Sequence, residues 1–223
     1  MHKFSGKEFD ERVEFFDRMA CSSWLTKIHE ELIKETGSWT NKQVLDVGCG
    51  TGRLLFRGAR ESTGIFGADL SEGMIHRAKE LAADRKFSTE PEFCVADAEN
   101  MPFPDNKFDI VLSTCVVFLL PDPEPALREM HRVLKPEGMI ALINPSEKLN
   151  SDTAKRLSDD LDLPAEEKDA LLQWGRISER RLRFNNLSLE EILTEHHFKD
   201  INQKLYLEDI ALLSFARKNK NHL

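Results

Sequence analysis

From Lys42 to Asn144 short apolar runs alternate with stretches whose apolar residues recur at helical spacing, and that alternation admits few folds. Gln43–Val47, Gly64–Asp69, Glu92–Ala96, Phe108–Leu112 and Met139–Asn144 read as strands. Between them, residues 52–61, Glu72–Asp84 and Pro123–Leu134 read as helices. Ser71 stands where an N-cap belongs, and Ala126, Leu127, Met130 and Leu134 are spaced as a buried stripe. Lys135-Pro136-Glu137-Gly138 reads as a turn. Strands that alternate with helices imply a mostly parallel, doubly wound α/β sheet with helices on both faces. Such sheets take ligands at the carboxyl ends of their strands.

The flanks differ. Residues 8–35 read as one amphipathic helix, with Phe9, Val13, Phe16, Ala20, Trp24 and Ile28 on one side and Gly37 as its stop. Residues 146–186 are helical and charged, interrupted by Pro164 and Gly175, and read as an insert. Ser188–Glu195 opens like a capped helix. Lys199–Leu207 and Ile210–Arg217 read as strands that pair antiparallel across the tight Glu208-Asp209. The expectation is one domain over 1–223: an N-terminal helical cap (1–41), a cofactor-binding core (42–145), a helical insert or lid (146–186) and a C-terminal helix with a strand pair (187–223).

The chemistry begins at Val44-Leu45-Asp46-Val47-Gly48-Cys49-Gly50-Thr51-Gly52. A buried strand ends beyond a carboxylate, and a glycine-dense turn enters a helix. Glycine lets a backbone adopt positive φ and approach a ligand closely. The spacing is G-x-G-x-G, whereas a dinucleotide-binding turn reads G-x-G-x-x-G with pyrophosphate on the helix end. Asp46 beside the glycines repels a pyrophosphate and suits a cationic ligand. Asp69, at the end of the second strand, can accept hydrogen bonds from both hydroxyls of a ribose. Asp97, at the end of the third, can accept from an adenine amino group, and the Ala98 N–H can donate to a ring nitrogen. Three acidic strand ends suit a nucleoside without phosphates that carries a positive amino-acid tail. S-adenosylmethionine meets that description better than NAD.

Four ordered motifs extend the reading: Leu45 to Gly52; Gly67-Ala68-Asp69-Leu70-Ser71-Glu72-Gly73-Met74; Asp97 to Asp105 with Phe108-Asp109; and Arg128-Glu129-Met130-His131-Arg132-Val133-Leu134-Lys135-Pro136-Glu137-Gly138. Together, over Val44–Pro145, they resemble the class I S-adenosylmethionine-dependent methyltransferases of the ubiquinone/menaquinone-methyltransferase-like (methyltransferase type 11) group. The resemblance implies a three-layer, Rossmann-like, seven-stranded sheet whose last strand is antiparallel. It implies that Gly48, Cys49, Gly50, Thr51 and Gly52 approach the methionine portion of the cofactor. Asp46 holds its amino group, directly or through water. Asp69 holds the ribose, Leu70 and Met74 flank the adenine, and Asp97 and Ala98 read its edge. Ser113 lends its carbonyl near the methionine amine, and the helix around Phe16–Ala20 closes over the cofactor. S-adenosylhomocysteine is the implied product. Many relatives carry histidine before a Leu-Pro-Asp after the fourth strand. Here Val117-Phe118-Leu119-Leu120-Pro121-Asp122 has none, so no histidine base is carried over and no catalytic residue is named.

Composition excludes some classes. With a formal net charge of −8 over 223 residues, the chain lacks the basic footprint of a nucleic-acid binder. No apolar run is long enough to span a membrane, and no signal peptide is evident, so the chain reads as cytoplasmic. Cys21, Cys49, Cys94 and Cys115 form no C-x-x-C pair, so no metal site is indicated. They read as buried free thiols. Asp109 reads as structural, and His131, His196 and His197 as surface residues. Arg176, Arg180, Arg181 and Arg183 form the one basic cluster, either a solvated helix face or a greeting for an anionic substrate. Leu171, Leu172, Trp174 and Ile177 read as packing. The function expected is methyl transfer to a small-molecule acceptor by a monomer or homodimer. The alternatives are a non-catalytic S-adenosylmethionine-binding regulator and, against the glycine spacing, a nicotinamide-dependent oxidoreductase.

Overall fold

Strands β1 (Gln43–Val47), β2 (Gly64–Asp69), β3 (Glu92–Val95), β4 (Phe108–Thr114) and β5 (Leu134–Pro145) run parallel in a computed structural model that describes residues 2–59 and 62–220. With β6 (Phe198–Tyr206) and β7 (Ala211–Lys218) they form one seven-stranded sheet in the order β3-β2-β1-β4-β5-β7-β6. The strand expected last, β7, is antiparallel to both neighbours. Val44, Leu45, Ile110, Val111, Leu112 and Ile140 are almost wholly excluded from solvent, as strands covered on both faces must be. The strand order reverses between β1 and β4, which opens a crevice at their carboxyl ends.

α4 (Arg53–Gly58), α5 (Glu72–Ala83) and α6 (Glu124–Val133) lie where helical spacing predicts them. The end of the first, at Arg60 and Glu61, lies outside the described residues. Ser71 caps α5 by accepting from the Met74 N–H at 3.0 Å. The predicted turn Lys135–Gly138 falls inside β5, where the pairing with β4 shifts register and Glu137 takes φ 63°. Asp109 is structural as expected: its Oδ2 accepts from the Gln43 N–H and from Lys135.

Residues 8–35 are not one helix. α1 (Gly6–Asp10), α2 (Val13–Cys21) and α3 (Ser23–Thr36) replace it. At Ser22 the backbone is extended (φ −60°, ψ 150°); its hydroxyl donates to the Met19 carbonyl at 2.7 Å and accepts from the Leu25 N–H at 3.4 Å. The serine closes one helix and caps the next, a change of direction to which apolar spacing is blind.

The insert holds α7 (Ser151–Asp160) and α8 (Ala165–Ser178), and it is followed by α9 (Asn186–Glu195). Pro164 separates the two insert helices as predicted. Gly175 does not interrupt α8; a Cβ there would stand 2.8 Å from the Asn150 carbonyl oxygen, so glycine lets α7 approach. α8 docks on the N-terminal helices. Trp174 stacks on Trp24 (ring centroids 5.4 Å apart), and Glu167 Oε2 accepts from the N–H and hydroxyl of Ser23 at 2.8 and 2.6 Å. Cys49 is buried as expected; Cys94 and Cys115 are partly exposed and Cys21 is exposed. His131, expected at the surface, is half-buried. It packs edge-on against Phe198 at 5.2 Å, because α6 lies beneath the strand pair at the tail.

Ser22→Ala is expected to cost about 1 kcal/mol of stability in urea unfolding, the usual worth of a lost N-cap. A cost below ~0.3 kcal/mol would mean that the break is held by other contacts.

Candidate functional site

The turn after β1 is built around one carboxylate. Asp69, at the end of β2, accepts from the Gly50 N–H with Oδ2 (2.8 Å) and from the Ser71 N–H with Oδ1 (2.9 Å). It thereby ties the glycine turn to the start of α5. The Gly48 and Cys49 N–H groups both donate to the Ala68 carbonyl, at 2.7 and 3.0 Å. Gly48 and Gly50 have φ of 74° and 53°. At Gly48 a Cβ would stand 2.1 Å from Val116 Cγ2, whereas at Gly50 it would meet nothing within 4 Å. The first glycine lets Val116 close; the second leaves open space beside the acid.

That space is a cavity of about 180 Å³ over the carboxyl ends of β1 to β4. Asp46, Gly48, Cys49, Gly50, Thr51, Asp69, Leu70, Met74, Asp97 and Ala98 all line it, so ten of the twelve residues expected at the site come together there. The other two do not line it. Gly52 is the left-handed N-cap of α4, and a Cβ on it would meet Phe56 at 2.9 Å. Ser113 is buried, and its hydroxyl donates to the Val47 carbonyl at 3.0 Å; Thr114, Cys115 and Val116 line the cavity beyond it.

The three acids differ in their state. Asp46 is 1% exposed, and its Oδ1 has no hydrogen-bond partner. Burial, reinforced by the nearby Asp69 charge, pushes its pKa well above the carboxylate range. Burial raises Asp69 as well, opposed by the N–H donors of Ser71, Gly50 and Leu70. Three donors leave one of the roughly four lone-pair sites of the Asp69 carboxylate open. Asp97 is engaged at both oxygens: Oδ2 accepts from Lys3 Nζ at 2.8 Å and Oδ1 from the Glu99 N–H at 3.0 Å. A ligand amino group at Asp97 therefore shares the carboxylate with Lys3.

Several lining residues escaped the sequence reading. Lys3, Phe4 and Phe9 cover the cavity from the N-terminal segment, beside Phe16, Met19 and Ala20 of the helix expected to close over it. Asp10 fixes the segment from α1 by accepting from the Ser71 hydroxyl and the Gly73 N–H. Asp17 fixes it from α2 by accepting from Thr51 at 2.6 Å and from Arg53 twice at 2.8 Å. Burial works against the Asp17 charge, but these bonds outweigh it and hold its carboxyl below the usual range. Arg181 is not a free member of a basic cluster. It donates to the His2 carbonyl at 2.6 Å and lies 4.1 Å over the Phe4 ring. His29, from α3, also reaches the wall.

A second cavity of about 220 Å³ adjoins the first and shares Phe4, Phe9, Phe16, Met19, Cys115 and Leu119 with it. Phe15, Phe118 and Trp174 add aromatic rings between the N-terminal helices and α8, and Glu8, Glu11, Arg12 and Gln173 add polar groups to the wall. Cys115 stands at the junction in a left-handed conformation (φ 59°), a strained backbone of the kind that persists where the surroundings over-determine it. Burial pushes its thiol up to about 12, which denies it a thiolate near neutrality.

A family model described as a methyltransferase domain matches residues 39–180. The chain is 34% identical over 140 residues to the aklanonic acid methyltransferase DauC of Streptomyces sp. (strain C5), a match covering 61% of this chain and 63% of that protein. It is 34% identical over 122 residues to the ubiquinone/menaquinone biosynthesis C-methyltransferase UbiE of Azotobacter vinelandii, covering 53% of this chain and 48% of that one. The matches thus span less than two thirds of either relative. Among solved structures, the methyltransferase in a complex with the Haloferax volcanii Trm112 methyltransferase activator has the same fold, with a TM-score of 0.75 at 18% identity over 99% of this chain and 100% of that one.

Because Asp46 and Asp69 titrate above the usual carboxylate range, the folded chain keeps their protons where the unfolded chain has lost them. Stability therefore falls as pH rises through that window. Asp46→Asn keeps the shape and removes one acid. It is expected to stabilise the protein by roughly 1 kcal/mol or more near neutral pH, with the gain shrinking in acid. A denaturant series at several pH values checks this; a pH-independent difference would contradict it.

Proposed function

The chain belongs to the methyltransferase-domain family, and from that footing we propose that it transfers a methyl group from S-adenosylmethionine to an apolar, ring-bearing small-molecule acceptor. The observation that carries the cofactor half is Asp46, a buried carboxyl group in the wall of the cavity whose Oδ1 has no hydrogen-bond partner. Such a group is costly unless a cationic donor meets it, and the ammonium of the methionine tail is one. A pyrophosphate would aggravate the cost. The lining suits the rest of the molecule: Asp69 retains an open lone pair for a ribose hydroxyl, Leu70 and Met74 offer apolar flanks for adenine, and the Ala98 backbone and Asp97 stand at its edge.

When bound, the cofactor supplies an electrophilic methyl group on a sulfonium. The chain supplies position and exclusion of water. Phe4, Phe9 and Phe16 cover the cavity, held down by Asp10, Asp17 and Arg181. The aromatic chamber beside it suits a flat apolar acceptor that reaches the cofactor past Cys115 and Leu119. The names of both relatives agree with such an acceptor, one acting on aklanonic acid and one in ubiquinone and menaquinone biosynthesis. No side chain at the junction is a ready general base, because the Cys115 thiol is held protonated. An acceptor that is already nucleophilic, such as a phenolate or a stabilised carbanion, fits this lack. We assign the α7–α8 insert the role of acceptor lid, since α8 forms one side of the chamber. The aromatic rings and acidic side chains of the two cavities also favour a small molecule over a nucleic acid. Among the described residues, no helix is long and apolar enough to cross a membrane.

A second reading, a regulator that binds the cofactor without turning it over, is favoured by the same lack of a base. A screen with isotopically labelled methyl donor against quinols, phenols and polyketide acids separates the two. Transfer to at least one aromatic acceptor is expected. Gly50→Arg, which fills the open space beside Asp69, and Asp69→Ala are each expected to abolish S-adenosylhomocysteine binding or weaken it severely, with the fold intact by circular dichroism. Tight cofactor binding without transfer to any of the acceptors favours the regulator, and undiminished affinity in both variants contradicts the site.

A further inference from the structure

The cavity wall contains one buried nitrogen donor that the established motifs leave unassigned. His29 on α3 is 3% exposed and lines the cofactor cavity, but not the adjoining aromatic chamber. Its Nδ1 stands 3.1 Å from Arg57 Nη1. A guanidinium has donors only, so Nδ1 accepts and the ring proton of a neutral imidazole sits on Nε2. Arg57 is itself held in place: its Nη2 donates to the Ala20 carbonyl at 2.7 Å and to the Thr26 hydroxyl at 2.9 Å. Burial first, and then the Arg57 charge, push the His29 pKa down to about 3, which keeps the ring neutral. His29 is therefore locked as a hydrogen-bond donor at Nε2. It is no base, because its one lone pair, on Nδ1, already accepts from Arg57.

The methionine end of the cofactor carries an ammonium and a carboxylate. Asp46 suits the first. For the second, the nitrogen-bearing side chains of the wall are Lys3, Arg53 and His29. Lys3 is paired with Asp97 and Glu99, each at 2.8 Å. Arg53 gives its Nε–H and one Nη2–H to Asp17, which also accepts from the Thr51 hydroxyl, so the Arg53 charge is already met on the α2 side. Among the described residues, the His29 Nε2–H has no protein partner. We infer that His29 donates its Nε2–H to the α-carboxylate of the cofactor's methionine moiety and so acts as a positioning residue for its amino-acid end. The inference rests on the reading of this cavity as an S-adenosylmethionine site.

Two amide substitutions test it. His29→Asn can offer Arg57 an oxygen near the Nδ1 position but leaves no donor at the position of Nε2. His29→Gln reaches that position with an amide N–H. The measurements are calorimetric affinities of the full chain for S-adenosylhomocysteine and for its decarboxylated analogue, with melting temperatures recorded alongside. His29→Asn is expected to weaken S-adenosylhomocysteine about tenfold or more, the scale of a lost hydrogen bond to a charged group. The decarboxylated analogue is expected to stay within about twofold of wild type, and His29→Gln to recover most of the affinity for S-adenosylhomocysteine. Equal losses for both ligands in His29→Asn, or no loss for either, would overturn this inference while leaving the cofactor assignment standing. Failure of the wild-type chain to bind S-adenosylhomocysteine would overturn both.

Discussion

The Asp69 carboxylate is the tie on which the site depends. One oxygen takes the N–H of Gly50 and the other the N–H of Ser71, so a single half-buried side chain sets both the curvature of the glycine turn and the start of α5. Ser71 in turn caps α5 and donates to Asp10, which anchors the first helix of the N-terminal cover. Nearby, Asp17 performs the same service for α2 through Thr51 and Arg53. The cover thus rests on polar bonds that begin at the strand ends. Its apolar rings are free to face the cavity, because the helices that carry them are fixed from their other sides.

The core of the fold was legible because parallel strands covered on both faces must be apolar along their length, and because their helices must be amphipathic. Five strands, three helices, the hairpin at the tail and its antiparallel strand follow from that alternation and from the motif resemblance. Ten of the twelve expected site residues line one cavity for a related reason: the ends of successive parallel strands are forced to be neighbours. Gly52 closes the glycine motif as the N-cap of α4, and Ser113 near the end of β4 turns its hydroxyl to the Val47 carbonyl, so neither reaches the cavity.

What escaped detection came from long-range pairing. Lys3 on Asp97 joins residues 94 positions apart, and Arg181 on the His2 carbonyl joins residues 179 apart. No periodicity or spacing announces such contacts. His29 was hidden differently: at helical spacing it reads as one more residue of an amphipathic helix, and only the nearness of Arg57 distinguishes it. Ser22 left a weak local signal, a cap residue inside a helical pattern, which the continuous apolar stripe obscured.

The stack of Trp24 on Trp174 has an optical consequence. The chain has three tryptophans, all buried, and two of them lie face to face at 16° across the seam between α3 and α8. Two indoles at that distance couple their electronic transitions, and the coupling vanishes when they part. Trp39 is packed against Gly58, away from that seam, and serves as an internal reference. The docking of the insert on the N-terminal helices therefore has its own native chromophore pair. Its near-ultraviolet circular dichroism reports the seam without any added label.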